Sequence, residues 1–353
     1  MRDQPSDPRQ HTRLTLYLLL GMAVLILGSN WPVMVTALKT VTPIWHAAIR
    51  IAGAAIAVIV IGLFTGNLVV PPKRDVPLIL STAIVRLAGV MVLVFIALTL
   101  VPAGRASVLV WTSALWTVPI AAVFLGDKMT TQKWTGLIIG LVGVFVISEL
   151  WNNNWNDRDV VVGTALLLTA ALCNASTSVH IRQHRWSIDP LQALPWQLLV
   201  ALIPVGTLAY VVDGPPDFEW TWQLTVNFAY QSVMVSGVAF WAQMIVLRRL
   251  SPVSINLTMM GVPVVGVISS AIALDEGISA PLAIGMVLVL SGVAVNLLWD
   301  PAPRVDETPV EPNPATPSAS KGEPSEDRQG GGNAHHRPDD VTIPEGRSGP
   351  TRC

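Results

Sequence analysis

Two arginines lie inside long apolar segments of the chain. Arg50 and Arg86 are each flanked mainly by Ala, Ile, Val and Leu residues. Ionisable groups in such segments are costly to bury, and they indicate a functional site by default. A guanidinium carries a fixed fork of donors that matches a carboxylate or a phosphate. We therefore hypothesise that one or both arginines bind an anionic group of a solute.

A structural role is the alternative for Arg50, which could instead tie backbone carbonyls at a helix break. Salt bridges cannot easily neutralise both arginines, because no Asp or Glu has a central position in an apolar segment. Glu149 lies near the end of its segment, and the other acids considered are in loops, at Asp127, Asp275 and Glu276. Each arginine is therefore expected to face a polar cavity or a partner.

His46 precedes Arg50 by four residues, which places both side chains on one helix face. Histidine titrates near neutral pH and could relay protons, so His46 is the candidate for ion coupling. The alternative is a solvated histidine near a helix end. The apolar segments lack a central carboxylate that could carry a proton. Solute exchange or facilitated diffusion of the solute is therefore a stronger alternative to proton-coupled transport.

Other polar and aromatic residues within the apolar segments are further candidates for solute contact. Helix–helix hydrogen bonds or packing are the structural alternative for each of them. These candidates are Asn30, Trp111, Asn174 and Asn256. Pro119 and Pro263 are predicted to kink their helices, since each removes a backbone donor. Such kinks would help two halves of the protein to rock, although a fixed bend explains them equally well.

The elements that carry these residues are predicted to be transmembrane helices. Only 13% of residues are charged and 52% are hydrophobic, whereas a soluble domain carries about 25% charge. A helix needs roughly 20 mostly apolar residues to cross a bilayer. Ten stretches meet this need: 14–36, 44–64, 77–98, 106–125, 134–150, 161–181, 191–211, 226–247, 252–274 and 281–299. The first is longer than the core of a signal peptide and lacks a clear cleavage site, which favours a span.

An internal repeat divides these spans into two sets of five. At an offset of 149 residues, eight positions are identical between 118–146 and 267–295, among them Gly136/Gly285 and Gly143/Gly292. An odd number of crossings in each half forces the second half to enter from the opposite side, so the repeat is inverted. The predicted fold is an all-α polytopic membrane protein. Its predicted parts are a cytoplasmic segment 1–13, repeats at 14–150 and 161–299, and a disordered cytoplasmic tail at 300–353.

The positive charges predict the orientation of the spans. With the N-terminus inside, eleven Lys and Arg residues before residue 300 are cytoplasmic and three, Lys39, Arg105 and Arg158, are outside. The eleven are Arg2, Arg9, Arg13, Lys73, Arg74, Lys128, Lys133, Arg182, Arg185, Arg248 and Arg249. Both termini are therefore predicted to be cytoplasmic, and the protein is predicted to lie in the cytoplasmic (inner) membrane.

The chain resembles the EamA family of the drug/metabolite transporter superfamily. The resemblance rests on Gly28-Ser29-Asn30-Trp31 with Lys39 and Ala48-Ile49-Arg50, and on the paired segments that begin at Leu125-Gly126-Asp127-Lys128 and Leu274-Asp275-Glu276. The chain departs from the family pattern at Asp127, where Glu is usual, and in the shifted proline, Pro119 against Pro263. The resemblance implies export or uptake of small metabolites, driven by an ion gradient or by exchange.

The leading functional interpretation is a secondary transporter that works by alternating access between the two halves. It is expected to export a small metabolite or drug-like solute, with an anionic metabolite as the hypothesis from the arginines. A channel or a nontransporting scaffold is the alternative, and a membrane enzyme is a weaker one, because no clustered acids, histidines or metal ligands occur in the spans. The expected partners are a solute and the lipid bilayer, without nucleic acid, cofactor or metal. A homodimer is left open.

Overall fold

Most of the described residues belong to helices. The computed structural model describes residues 8–66, 68–148, 158–184, 187–188, 190–239, 242, 245–246 and 252–299. Glu149 and the tail predicted to be disordered, 300–353, lie outside the described residues, as do residues 1–7 of the predicted N-terminal segment.

The described residues form helices and no strand. In the first half these are α1 (Pro8–Leu38), α2 (Pro43–Thr65), α3 (Val76–Ser81), the π-helix π1 (Thr82–Gly89), α4 (Val90–Ala97), α5 (Ala103–Trp111), α6 (Ser113–Leu125) and α7 (Thr131–Ser148). In the second half they are α8 (Arg158–Gln183), α9 (Pro190–Val212), α10 (Trp222–Ala229), the π-helix π2 (Tyr230–Ala239), α11 (Pro252–Met259), α12 (Gly261–Leu274) and α13 (Ala280–Trp299).

The prediction of an all-helical polytopic membrane protein is confirmed. Within the described ranges, nine helical stretches are long and apolar enough to cross a membrane, and three of them, Val76–Ala97, Ala103–Leu125 and Ile255–Leu274, each join two or three of the helices named above. The remaining predicted span, 226–247, includes residues outside those ranges, so the count of ten stays a prediction. Two predicted spans, 106–125 and 252–274, are each broken into two helices.

The breaks and π-helices recur at equivalent places in the two halves. Adding the 149-residue offset to Ala103–Trp111 and Ser113–Leu125 gives the bounds of α11 and α12 to within one residue. The same offset moves π1 to 231–238, and π2 is Tyr230–Ala239. A π-helix interrupts the regular ladder of an α-helix and is frequent at functional sites. The repeat therefore extends from sequence to local backbone geometry.

Glycines bring α7 and α13 into close contact, and α7 belongs to the first half while α13 belongs to the second. A Cβ built on Gly136 would meet the Gly292 carbonyl at 2.7 Å, and one built on Gly143 would meet the Gly285 carbonyl at 2.8 Å. The offset exchanges Gly136 with Gly285 and Gly143 with Gly292, so each contact maps onto the other. Such reciprocity identifies a pseudo-two-fold axis between antiparallel helices, as an inverted repeat requires.

A loop of the second half also contacts the first half at one end of the bundle. We call the end with loops 39–42, 99–102, 213–221 and 275–279 the Lys39 end, and the end with loops 66–75 and 126–130 the Asp75 end. At the Lys39 end the Glu276 carboxylate accepts hydrogen bonds from the backbone N–H groups of Ala103 (2.9 Å) and Gly104 (3.0 Å). This bond places a negative charge at the N-terminus of α5, where the helix dipole favours it.

The glycine contact predicts a stability effect with a matched control. Gly136→Ala forces α7 away from α13, so the free energy of unfolding should fall by about 1–3 kcal/mol, as for overpacked cores. Gly206→Ala in α9 is the control, because its Cβ would meet nothing within 4 Å. Its free energy of unfolding should change by less than about 0.5 kcal/mol or rise slightly. Reversible unfolding in mixed detergent micelles measures both; equal losses would show that the contact is not tight.

Candidate functional site

Arg50 is buried between helices of the first half. It follows Pro43, the first residue of α2, by seven positions, which is about 10 Å along the helix axis. The side chain is 9% exposed. Its Nη1 donates to the sulfur of Met34 at 3.1 Å, and its guanidinium carbon lies 5.8 Å from the centre of the Phe95 ring. No carboxylate of the described residues forms an ion pair with it.

His46 and Arg50 both lie against the aromatic ring of Phe95. The imidazole is fully buried, stacks on Phe95 with ring centres 4.2 Å apart, and meets the edge of Phe228 at 5.1 Å. Its Nε2 lies within hydrogen-bonding distance of both side-chain atoms of the Gln231 amide, at 3.0 and 3.2 Å. The predicted shared face of His46 and Arg50 is therefore real, and Phe95 is the surface against which both lie.

Gln231 continues the polar contacts from His46 into the second half and back to the first. Its Nε2 donates to Asn227 Oδ1 at 2.7 Å. The Asn227 amide in turn donates to the Val33 carbonyl of α1 at 2.8 Å. Asn227 also lines a cavity of about 580 Å³ between α1, α10, π2 and α12, together with Ser29, Tyr230 and Ser269. Side-chain hydrogen bonds therefore connect this cavity with the His46 imidazole.

Asn30 completes the cluster from α1. Its Nδ2 donates to Met34 Sδ at 2.9 Å, so the same sulfur receives donors from Asn30 and Arg50. Asn30 Oδ1 and His46 Nδ1 are buried and have no hydrogen-bond partner among the described residues. Buried polar groups are almost always paired, and exceptions need an explanation. We call Asn30, Met34, His46, Arg50, Phe95 and Gln231 the Arg50 site.

Arg86 occupies a different environment, in the π1 segment between α3 and α4. Its side chain is exposed. Its neighbours Ile84 and Val85 are exposed as well. No hydrogen bond or ion pair joins Arg86 to another residue of the described ranges. That Arg86 faces a polar cavity stays a prediction.

The remaining candidate residues lie apart from the Arg50 site. Asn174 in α8 donates to Ser113 Oγ at 3.3 Å, beside the break between α5 and α6. Trp111 is half-buried at the end of α5 and packs against a separate apolar cluster that includes Val24 and Ile26. Asn256 in α11 is exposed. The described hydrogen bonds connect none of these three side chains to Arg50, and their solute contacts stay predictions.

The two prolines predicted to kink their helices lie at different distances from the helix breaks, and the kinks stay predictions. Pro263 is the third residue of α12 and follows the break at Met260, whereas Pro119 lies inside α6, seven residues after the break at Thr112. Sequence reasoning did not single out Pro32, which lies inside α1. Because Pro32 has no N–H, the Gly28 carbonyl loses its usual donor. Ser269 Oγ of α12 approaches that carbonyl at 3.4 Å.

Both halves of the chain match one family model. Residues 14–149 and 161–298 match the model of the EamA-like transporter family. The chain belongs to this family. The resemblance inferred from the sequence is thereby confirmed, and the protein is a multi-pass membrane protein of a transporter family, whose expected partners are a small solute and the lipid bilayer.

Curated relatives of the family cover most of the chain. The transporter YoaV of Bacillus subtilis is 23% identical over 77% of this chain and 93% of its own length. A probable amino-acid metabolite efflux pump of Escherichia coli is 24% identical over 80% of this chain and 96% of its own. A probable terminal-alkyne amino-acid exporter of Streptantibioticus cattleyicolor is 26% identical over 70% of this chain and 82% of its own. These names point to transporters rather than enzymes.

A crystal structure supports the same fold. It is 20% identical in sequence, covers 82% of this chain and 98% of its own, and superposes with a TM-score of 0.57. At this level of identity the likeness concerns the fold of the helices alone.

The contact between His46 and Gln231 predicts energetic coupling between α2 and π2. In a double-mutant cycle with His46→Ala and Gln231→Ala, the coupling free energy should be roughly 0.6–1.7 kcal/mol, the range of hydrogen bonds inside membranes. His46→Ala with Asn174→Ala is the control cycle, because these residues share no described contact and their effects should add to within about 0.5 kcal/mol. Unfolding in mixed micelles provides the values. Additive effects of His46 and Gln231 would contradict the contact.

Proposed function

We propose that the chain exports a small solute with a carboxylate across the cytoplasmic membrane, by alternating access between its two inverted halves. The Arg50 site is the proposed binding site for the carboxylate. The observation that carries the proposal is the buried Arg50 guanidinium, whose partners among the described residues are the Met34 sulfur and the Phe95 ring.

The chemistry of Arg50 favours a carboxylate. A guanidinium buried in an apolar bundle is costly unless strong acceptors surround it. A thioether sulfur is a weak acceptor, and one such contact leaves most of the five N–H donors without a strong partner. A carboxylate accepts two parallel hydrogen bonds from the fork and neutralises its charge. Solute binding would thus supply the partner that the described part of the protein does not provide.

Asn30 favours an α-amino acid among carboxylate solutes. Its amide nitrogen and Arg50 Nη1 both contact Met34 Sδ, at 2.9 and 3.1 Å, so the two nitrogens are no more than 6.0 Å apart. The Asn30 Oδ1 atom lacks a described partner and can accept from an ammonium group. A guanidinium for the carboxylate and a neighbouring amide oxygen for the ammonium group match the two charged groups of a zwitterion. The amino-acid efflux pump and exporter among the relatives support the same solute class.

In this proposal the Lys39 end faces the outside of the cell. The sequence predicts eleven cationic residues on the Asp75 side and three on the Lys39 side, which is the bias expected of cytoplasmic loops. At the Lys39 end, an apolar cluster of Ala37, Val41, Leu224 and Phe228 is buried. Thr42 Oγ1 adds a hydrogen bond to Asp213 Oδ2 at 2.6 Å. We take these contacts as the outer closure above His46 and Arg50.

Arg86 supports a path from the cytoplasmic side. It follows Val76, the first residue of α3, by ten positions, which is about 15 Å from the Asp75 end. Its exposed side chain would attract an anion from the cytoplasm toward the bundle centre. The solute would then pass to Arg50, and opening of the Lys39 end would release it outside. Solute binding at Arg50 would shift Phe95 and thereby the His46 imidazole that stacks on it. A role of His46 in ion coupling is part of this proposal.

Counterflow into proteoliposomes tests the proposal. Vesicles loaded with an unlabelled mixture of the twenty protein amino acids should accumulate the same amino acids in labelled form. Amino-acid amides, which lack the carboxylate, should not drive this exchange. Arg50→Gln should reduce the initial rate about tenfold or more, because a charge-assisted hydrogen bond contributes about 1.5–3 kcal/mol. Arg50→Lys keeps the charge without the fork and should have an intermediate rate.

A matched variant controls for the loss of a positive charge. Lys73→Gln removes a cation from an exposed loop at the Asp75 end and should leave the rate within about twofold of the wild-type rate. Arg86→Gln should reduce the rate mainly by raising the half-saturating concentration. Exchange of amides at the same rate as amino acids, or an unchanged rate in Arg50→Gln, would contradict the proposal.

A further inference from the structure

The sulfur of Met34 accepts hydrogen bonds from two strong donors of the Arg50 site, the Asn30 amide and the Arg50 guanidinium. The Met34 side chain is 3% exposed, and its sulfur accepts from Asn30 Nδ2 at 2.9 Å and from Arg50 Nη1 at 3.1 Å. Convergence of an amide and a guanidinium on one atom is the arrangement expected around an anionic oxygen. The atom in that position is instead an uncharged thioether sulfur, which is a weak acceptor.

We infer that Met34 Sδ occupies the position of the solute's carboxylate in the empty site and must leave it when the solute binds. The inference rests on the proposed function, since it assumes that Arg50 receives a carboxylate. It assigns Met34 a role that packing alone would not give: a resident competitor that partly satisfies Arg50 and Asn30 until a stronger acceptor arrives.

The side-chain chemistry of methionine suits such an exchange. Methionine is unbranched, has three rotatable side-chain bonds and fits irregular spaces, so its sulfur can move without a shift of the backbone. Its neighbours in α1 are held separately, because Asn227 donates to the Val33 carbonyl and Thr36 Oγ1 donates to the Pro32 carbonyl. The backbone around Met34 is thereby held by contacts that do not involve the thioether.

The competition has a consequence for specificity. A neutral solute without a carboxylate gains little from Arg50 and cannot displace a sulfur that two donors already contact. An anionic solute exchanges a weak acceptor for a charge-assisted pair. Met34 thus raises the binding free energy that a solute needs in order to displace the sulfur, and it favours carboxylate solutes over neutral ones of equal size.

A solute-free measurement tests whether the Met34 position is an anion position. Met34→Glu places a carboxylate beside Arg50, whereas Met34→Gln has the same shape without the charge. In detergent micelles the full-length Met34→Glu protein should unfold at least about 3 °C above Met34→Gln. This difference should disappear or reverse when both changes are made together with Arg50→Gln, because the glutamate is then buried without a partner. Equal unfolding temperatures, or the same difference in both backgrounds, would overturn the inference.

Counterflow of the labelled mixture of twenty amino acids tests the competition itself. Met34→Glu carries its own anion and should lower the initial rate about tenfold or more. Met34→Leu removes the sulfur acceptor at similar volume and should lower the half-saturating concentration about threefold. Met91→Leu, a partly buried methionine of α4 that packs against the same apolar core, is the control and should behave like the wild type.

The two readouts separate failure of this inference from failure of the proposed function. Wild-type exchange of amino acids, with Met34→Glu and Met34→Leu both as active as the wild type, would overturn the role of Met34 and leave the proposed function intact. A wild-type protein that exchanges no amino acid would contradict the proposed function, and the unfolding temperatures, which involve no solute, would still decide whether Met34 occupies an anion position.

Discussion

A positive charge buried among apolar helices without a carboxylate partner is the constraint on which the rest of the site depends. Arg50 is nearly inaccessible, and its described contacts are a sulfur and the face of an aromatic ring. Both contacts attract a cation weakly compared with a carboxylate. The surrounding residues make this placement tolerable: Phe95 lies against Arg50 and His46 together, and Gln231 holds the imidazole from the other half of the protein.

The scaffold is symmetric where the site is not. The α7–α13 contact, the helix breaks at Thr112 and Met260, and the two π-helices all recur at the same offset. At that offset Arg50 corresponds to Leu199 and Arg86 to Val235. In the proposed mechanism, two equivalent halves allow alternating access, because the closure of one end can be exchanged for closure of the other. The proposal assigns the choice of solute to the residues that depart from this symmetry.

The sequence predicted the helical fold and the inverted repeat because hydrophobic length and repeated glycines are properties of the residues themselves. It also identified Arg50, Arg86 and His46, since a charge or an imidazole is conspicuous in an apolar helix. It could not identify Met34 or Phe95 as partners of Arg50, because apolar residues in apolar helices carry no signal of which neighbour they touch. The π-helices and the breaks at Thr112 and Met260 depend on packing between distant helices. For the same reason the sequence could not separate Asn30, which joins the site, from Asn256, which is exposed.

The free energy of unfolding of Arg50→Met tests most directly whether Arg50 serves the solute rather than the fold. Methionine has a similar length and no charge, so the substitution removes an unsatisfied buried cation. The free energy of unfolding in mixed micelles should rise by about 1–3 kcal/mol, while amino-acid exchange is lost. Arg182→Met is the control, because it removes an exposed partner of Asp127 at 3.8 Å. Its free energy of unfolding should change by less than about 1 kcal/mol. A clear fall in the free energy of unfolding of Arg50→Met would contradict a site that awaits its carboxylate and would make Arg50 a structural residue.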